Sequence, residues 1–360
     1  MNAREKLILL LDEVMISYKA TKFLLENYDA EEIIDGVEKY KNEVVDSLGE
    51  AMFLKLKNAI SLKNIEKTVL EFEKFGILAV FLGNDDYPKQ IEQIQNPPFV
   101  LYYKGDKNLF NKESIAIVGT RRPTAYGREV TRLFASELAD AGLVTVSGLA
   151  YGLDMEVAVS TLEAKGKTIA VLGGGLDKVY PEQNTDLARK IIENGGLLVS
   201  LYPPKRRPTR YSFVERNRII SGLALGTIIV EAGESSGTLN TANHTIEQGR
   251  ELFVVPANIT SVSSLGSNKL IEELPETFTI SPKRVLKVLG FDKNKEQNTN
   301  KIKEISAQEK TILEALYEGE IDFDTLQEKT KIESKSLISL LTMMEISGLI
   351  KKLPGNFYSL

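Results

Sequence analysis

Two groups of basic residues stand beside turns of small residues, and this pairing is the first chemical signal in the chain. Arg121 and Arg122 directly follow the run SIAIVG at 114–119. A second stretch, PPKRRPTRYSFVERNRIISGL at 203–223, sets six positive residues (Lys205, Arg206, Arg207, Arg210, Arg216 and Arg218) against one acid, Glu215. Guanidinium groups fork onto phosphate oxygens through paired, charge-assisted hydrogen bonds. The aromatics Tyr202, Tyr211 and Phe213 interleave the stretch, and aromatic faces beside basic groups are what a single-stranded nucleic acid needs for stacking and backbone contact. The composition of the stretch also fits a solvated charged loop. Nucleophilic chemistry is poorly provided for: the chain has no Cys and a single His, His244. The absence of Cys excludes disulfides and thiolate nucleophiles, and His244 cannot by itself make a His-based zinc site or triad. No catalytic residue, metal-ligand set or cofactor is assigned.

A scaffold must bring these groups together, and the runs around them describe one. SIAIVG (114–119), LVTVSG (143–148), TIAVLGGG (168–175) and TIIVEAGESSGT (227–238) are β-branched, apolar and end in small residues. Apolar runs without polar alternation read as parallel strands buried on both faces. Helical patterns follow at 127–141, 154–165, 182–193, 214–221 and 238–248. This alternation predicts an α/β fold, a Rossmann-like doubly wound parallel sheet. Ligands of such sheets bind among the loops and helix N-termini at the strand ends. The chemistry is therefore expected at 119–122, 147–152, 173–175 and 235–238. The turn VGTRRPTAYG lacks G-x-G-x-x-G and puts two arginines where a pyrophosphate cradle needs glycine, so NAD and FAD are not expected.

At 360 residues the chain exceeds one ordinary core. Residues 1–83 read as a helical module of SAM or helix-hairpin-helix type without a strand-like run, 84–288 as the α/β core, 289–304 as a polar linker, and 305–360 as a winged helix. The last opens on a capping box, Ser306 and Glu309, and closes on a hairpin about the turn Pro354, Gly355 and Asn356. Its final helix is expected to end at Gly348. The apolar runs are too short to span a bilayer, and the acids flanking residues 7–11 argue against a signal peptide. A cytoplasmic protein without membrane contact is expected. Net charge is −5, so a polyanion must be held by local charge and not by the field of the whole molecule.

The motifs VGTRRPTAYG, SGLAYGLD, TIAVLGGGLDKVYPEQN, FVERNRIISGL, SSGTLNTA, EQGRELFVVP and LGSNKLI, in this order over about 84–275, resemble the DNA-processing protein A family (DprA, also called Smf). The resemblance implies a Rossmann-like core that binds single-stranded DNA without sequence preference, protects it and helps load the RecA recombinase onto it in transformation or recombination. A homodimer is the default it implies. Carried onto this sequence, it implies that Arg121 clamps a phosphate, with Arg122 beside it. Backbone amides of Gly119, Thr120 and Arg121 and of Ser147 and Gly148 would line the pocket. Arg210 would contact the strand, Phe213 would offer a stacking face, and Lys205, Arg216, Asn217 and Arg218 would shape the basic wall. Ser236, Gly237 and Thr238 open a helix whose free amides attract anions. Each has a plainer reading: Phe213 fits core packing equally well, Arg216 and Arg218 fit salt-bridged scaffolding, Asp154 reads as a helix cap, and His244 as a surface or packing residue.

The sequence departs from the family pattern in four places. Ala158 stands at a usual His, Leu201 at a usual Glu, Val214 at a usual Pro and Ala257 at a usual Gly. These losses weaken a catalytic reading and leave the phosphate-binding groups in place. Two other functions stay open: a nucleotide-binding enzyme of the lysine-decarboxylase-like or phosphoribohydrolase type, against which EAGESSGTLNTA lacks the matching catalytic Glu, and a non-catalytic nucleotide sensor. Residues 301–360 hold eight Lys against ten Asp and Glu, net −2. Phosphate attraction supplies most nonspecific DNA affinity, so this winged helix suits protein docking or regulation better than duplex reading.

Overall fold

The computed structural model describes residues 1–291 and 306–359, apart from 61, 318, 347, 348 and 354. The expected linker lies outside the described residues from 292 onward, as do Gly348 and Pro354. The chain divides into two compact units, Met1–Phe291 and Asp292–Leu360.

The first unit opens with helices α1 (Ala3–Glu13), α2 (Tyr18–Asn27), α3 (Ala30–Gly36), α4 (Lys41–Leu48), α5 (Glu50–Ala59) and α6 (Leu62–Phe75). One short helix, α7 (Lys89–Glu92), follows; then come α8 (Ala125–Asp140), α9 (Leu153–Glu163), α10 (Thr185–Glu193), α11 (Arg210–Leu223), α12 (Gly237–Glu247), α13 (Leu265–Glu273) and α14 (Pro282–Val288). The eight strands are β1 (Leu78–Phe81), β2 (Val100–Gly105), β3 (Ser114–Val118), β4 (Val144–Ser147), β5 (Thr168–Leu172), β6 (Leu197–Ser200), β7 (Gly226–Ile229) and β8 (Glu251–Val254). They form one sheet in the order β1-β2-β6-β5-β4-β3-β7-β8, in which β6 to β8 are mutually parallel and β1 and β2 are antiparallel additions at one edge. Between β3 and β7 the winding reverses direction, and such a switch point opens a crevice at the carboxyl ends of the strands.

The apolar runs are continuous because helices cover both faces of the sheet. Along β3, Ile115 and Ile117 join a cluster with Phe134, Leu138 and Val157 of α8 and α9. Ala116 and Val118 join the opposite cluster with Ile219, Ile220 and Ala242 of α11 and α12. The predicted doubly wound architecture is the one found.

Two expectations need correction. The strand β1 lies within residues read as purely helical; four residues with an exposed first position give too little alternation to register in sequence. The expected boundary at residue 83 also falls inside one compact unit. The physical reason lies in α1: Leu7 and Leu11 pack among the N-terminal helices, whereas Ile8 and Leu9, with Phe72 of α6, pack against Tyr102, Ala170 and Leu172 of the sheet. Five consecutive apolar residues, 7–11, point to every side of the helix, and all five are buried.

The second unit holds α15 (Ala307–Leu316), α16 (Phe323–Thr330) and α17 (Ser334–Ile346), with β9 (Ile321–Asp322), β10 (Lys351–Leu353) and β11 (Phe357–Ser359) in a sheet of order β10-β11-β9. The Ser306 and Glu309 capping box starts α15 as the sequence predicts. Ile312, Leu326, Leu337, Leu341 and Tyr358 form its core.

Candidate nucleic-acid interface

The site begins beneath the surface, with a buried charge pair. Arg216 is the seventh residue of α11 and is only 3% exposed. Its guanidinium donates to the carbonyl of Gly148 at 2.7 Å and to that of Val171, at the ends of β4 and β5. Burial pushes its pKa down to about 10, and the Asp154 carboxylate opposes that shift. Asp154, also buried, has its pKa raised by burial, with Arg216 the main opposing influence. Gly148 is squeezed between them: a Cβ there would sit 2.4 Å from the Arg216 guanidinium and 2.5 Å from the Asp154 carboxylate. Arg216 is therefore not an exposed part of the basic wall. Asp154 is not a helix cap either, since the N-cap of α9 is Gly152. Through those two carbonyls Arg216 ties the ends of β4 and β5 to α11, and the nearby Asp154 carboxylate offsets its charge, because an uncompensated buried charge would be far more costly.

Above this pair sits the exposed layer. The Arg121 guanidinium lies 5.1 Å from the centre of the half-buried Phe213 ring, and that of Arg216 lies 5.9 Å from it. One exposed and one buried cation thus share a single aromatic ring. Arg121, Arg122, Arg206, Arg207 and Arg210 are exposed and enter no salt bridge among the described residues.

The glycine run after β5 anchors this basic loop. The amide of Gly175 donates to the carbonyl of Arg206 at 2.8 Å, and the Ser212 hydroxyl donates to the carbonyl of Gly173 at 2.6 Å. A Cβ on Gly175 would meet the Pro203 carbonyl at 2.5 Å. The loop then enters α11 through a capping box of Thr209 and Ser212. This start, four residues before the predicted one, sets which way each side chain of the stretch faces.

Helical geometry divides the stretch. Arg210, Phe213 and Asn217, spaced at three and four, share one face. Asn217 accepts from Arg216 at 3.2 Å and donates to the carbonyl of Gly237 at 3.2 Å, tying α11 to the start of α12. There Ser236 and Gly237 are accessible, while Thr238 is buried with its amide taken by the Ser236 hydroxyl. Arg218 faces elsewhere: it donates to the carbonyl of Asn96 at 3.0 Å and lines a separate cavity of about 470 Å³ shared with Asp12, Tyr211, Glu215 and His244. The Lys205 amine pairs with Glu71 of α6. Neither Arg218 nor Lys205 is a free cation of the crevice.

The predicted amides fare unevenly. That of Thr120 is committed to the carbonyl of Glu231 at 2.8 Å, and Ser147 turns its hydroxyl onto the carbonyl of Ile117 inside the sheet. Gly119 is half-buried and Gly148 buried. One acid escaped the sequence reading: Glu231, 1% exposed, accepts from the Thr124 amide at 3.0 Å and from its hydroxyl at 2.5 Å, holding the N-terminus of α8. An acid directly closing the apolar run TIIV was the available signal.

A family model described as DNA recombination-mediator protein A matches residues 79–290, and one described as the DprA winged helix domain matches residues 296–356. The DNA processing protein DprA of Bacillus subtilis is 40% identical over 221 residues, which cover 61% of this chain and 74% of that protein. The X-ray structure of DNA processing protein A from Streptococcus pneumoniae superposes with a TM-score of 0.66 at 30% identity, covering 79% of this chain and 97% of that one. The Helicobacter pylori protein, solved for its single-stranded DNA binding mode, superposes with a TM-score of 0.54 at 33% identity, covering 59% of this chain and 96% of that one.

Proposed function

Since the chain belongs to the DNA recombination-mediator protein A family, we propose that its crevice binds single-stranded DNA without sequence preference, through Arg121 and Arg210 on phosphates and Phe213 on a base. The supporting observation is the exposed Arg121 guanidinium over the Phe213 ring, flanked by four further exposed arginines without salt-bridge partners among the described residues. These lie at the carboxyl ends of parallel strands in a chain of net charge −5. Local basic groups in an acidic molecule select a polyanion at one place only. We assign the crevice binding and no catalysis, because the rim positions Ala158 and Leu201 are apolar and buried and supply no acid or base. In this reading the bound strand is protected and handed to a RecA-type recombinase by a cytoplasmic homodimer. Among the described residues no helix is long and apolar enough to cross a membrane.

The winged helix takes a docking role. On α17, Ile338 and Met343 are 55% and 51% exposed, and the exposed charges of that helix are one cation, Lys335, and one anion, Glu345. Such a face offers apolar area and little phosphate attraction.

Titration of labelled oligo-dT, with duplex, AMP and NAD as competitors, tests the function. Oligo-dT binding tighter than duplex, with a log-log salt slope of roughly −2 to −3 from about 3 to 4 phosphates, is expected. Displacement by AMP together with affinity indifferent to salt would replace this reading with a nucleotide site.

A further inference from the structure

Phe213 is a crowded platform. Two guanidinium carbons lie within 5.9 Å of its ring centre, and a Cβ on Gly173 would come within 2.7 Å of the ring edge. Beside it stands an aromatic that is not crowded. Tyr180, in the loop between β5 and α10, is 51% exposed, and its ring centre lies 5.8 Å from that of Phe213 at a tilt of 43°. Phe213 is its one ring neighbour among the described residues, and no hydrogen bond is formed by its hydroxyl there. The loop that carries it starts at the buried Gly173, Gly174 and Gly175 that anchor the basic loop.

We infer that Tyr180 is a second base-stacking subsite, taking the nucleobase next along the strand from the one at Phe213. The inference rests on the single-stranded DNA reading above. The geometry decides how the two rings are used. A base inserted between them would need about 7 Å and parallel planes, twice the roughly 3.5 Å contact distance. At 5.8 Å and 43° each ring instead offers its own face to its own base. Base stacking is tolerant of sequence because every base has a π-face, so the second platform adds affinity without adding preference. The surroundings agree with a contact to bases and not to phosphates: Lys178, two residues away, is paired with Glu182 at 3.4 Å, and the exposed guanidiniums lie on the Arg121 side and on the basic loop. A merely structural role for Tyr180 would require packing, and half of its surface is bare.

The test compares oligo-dT with an abasic oligomer of the same length for the full chain, Tyr180→Ala and Tyr180→Phe, over a salt series. Tyr180→Ala is expected to weaken oligo-dT binding about 5- to 100-fold, to leave abasic binding and the salt slope as in the parent, and to be rescued by Tyr180→Phe. Parental oligo-dT affinity in Tyr180→Ala, or an equal loss on the abasic strand, overturns the subsite while the single-stranded DNA reading stands. A parent chain without salt-dependent oligo-dT binding overturns that reading, and the subsite with it.

Discussion

At the scale of the residue, one side chain couples two kinds of contact. Arg121 lies over the ring of Phe213, so moving it onto a phosphate uncovers that ring for a base. Arg121→Ala is expected to lose roughly 1.5 to 3 kcal/mol of oligo-dT binding with a shallower salt slope. Phe213→Ala is expected to lose about 1 to 3 kcal/mol with the slope intact, since no counterion leaves a stacked base. The double variant should deviate from additivity by at least about 0.5 kcal/mol, as contacting residues do; strict additivity would show that the two groups act separately. Beneath them, Arg216 belongs to stability. Arg216→Ala strands the buried Asp154 and two carbonyls, and a loss of about 3 to 5 kcal/mol in urea denaturation is expected. The sequence reading already allowed for scaffolding here, but nothing in the string RNR separates Arg216 from Arg218. Only the helix register does.

At the scale of the element, the junction between α1 and the sheet carries a titrating group. Asp12 accepts a hydrogen bond from the Tyr102 hydroxyl at 2.6 Å. Burial, opposed by that bond and reinforced by Glu215 and Glu13, pushes its carboxyl up to about 7 from 3.8. Between those values the native state holds a proton that the unfolded chain has released. Stability is then fully retained below about pH 4, falls as pH rises towards about 7, and levels off above it. Asp12→Asn should flatten this window, read as urea midpoints at about pH 4.5 and about pH 7.5; an unchanged pH profile would show that Asp12 is not its source. The helical N-terminus was legible from its apolar spacing, whereas its union with the sheet was not, because a run such as 7–11 does not say what lies on each of its sides. The four-residue strand β1 was hidden for the same reason of brevity.

At the scale of the whole molecule, charge is divided unevenly. The chain is acidic overall, residues 301–360 are net −2, and arginines without a salt-bridge partner among the described residues gather at the crevice. A fragment ending at residue 291, where the first compact unit ends, is therefore expected to bind oligo-dT within about tenfold of the full chain and with the same salt slope. A folded fragment that binds more weakly than that would bring the winged helix into the DNA site.

The strands, the helices between them, the strand-end location of the crevice and the capping box of the winged helix were all set by local patterning. Apolar periodicity and small-residue turns are properties of neighbours along the chain, and they survive being read one window at a time. The fate of each basic residue was decided otherwise. Starting α11 at Arg210 sends Arg216 inward to Asp154, Arg218 towards Asn96, and Phe213 under Arg121, while Lys205 is taken by Glu71 across 134 positions. The glycine run after β5 likewise serves a loop that starts about 30 residues later. A charge in sequence becomes a site only when no partner reaches it, and which partners reach it is a matter of three-dimensional distance.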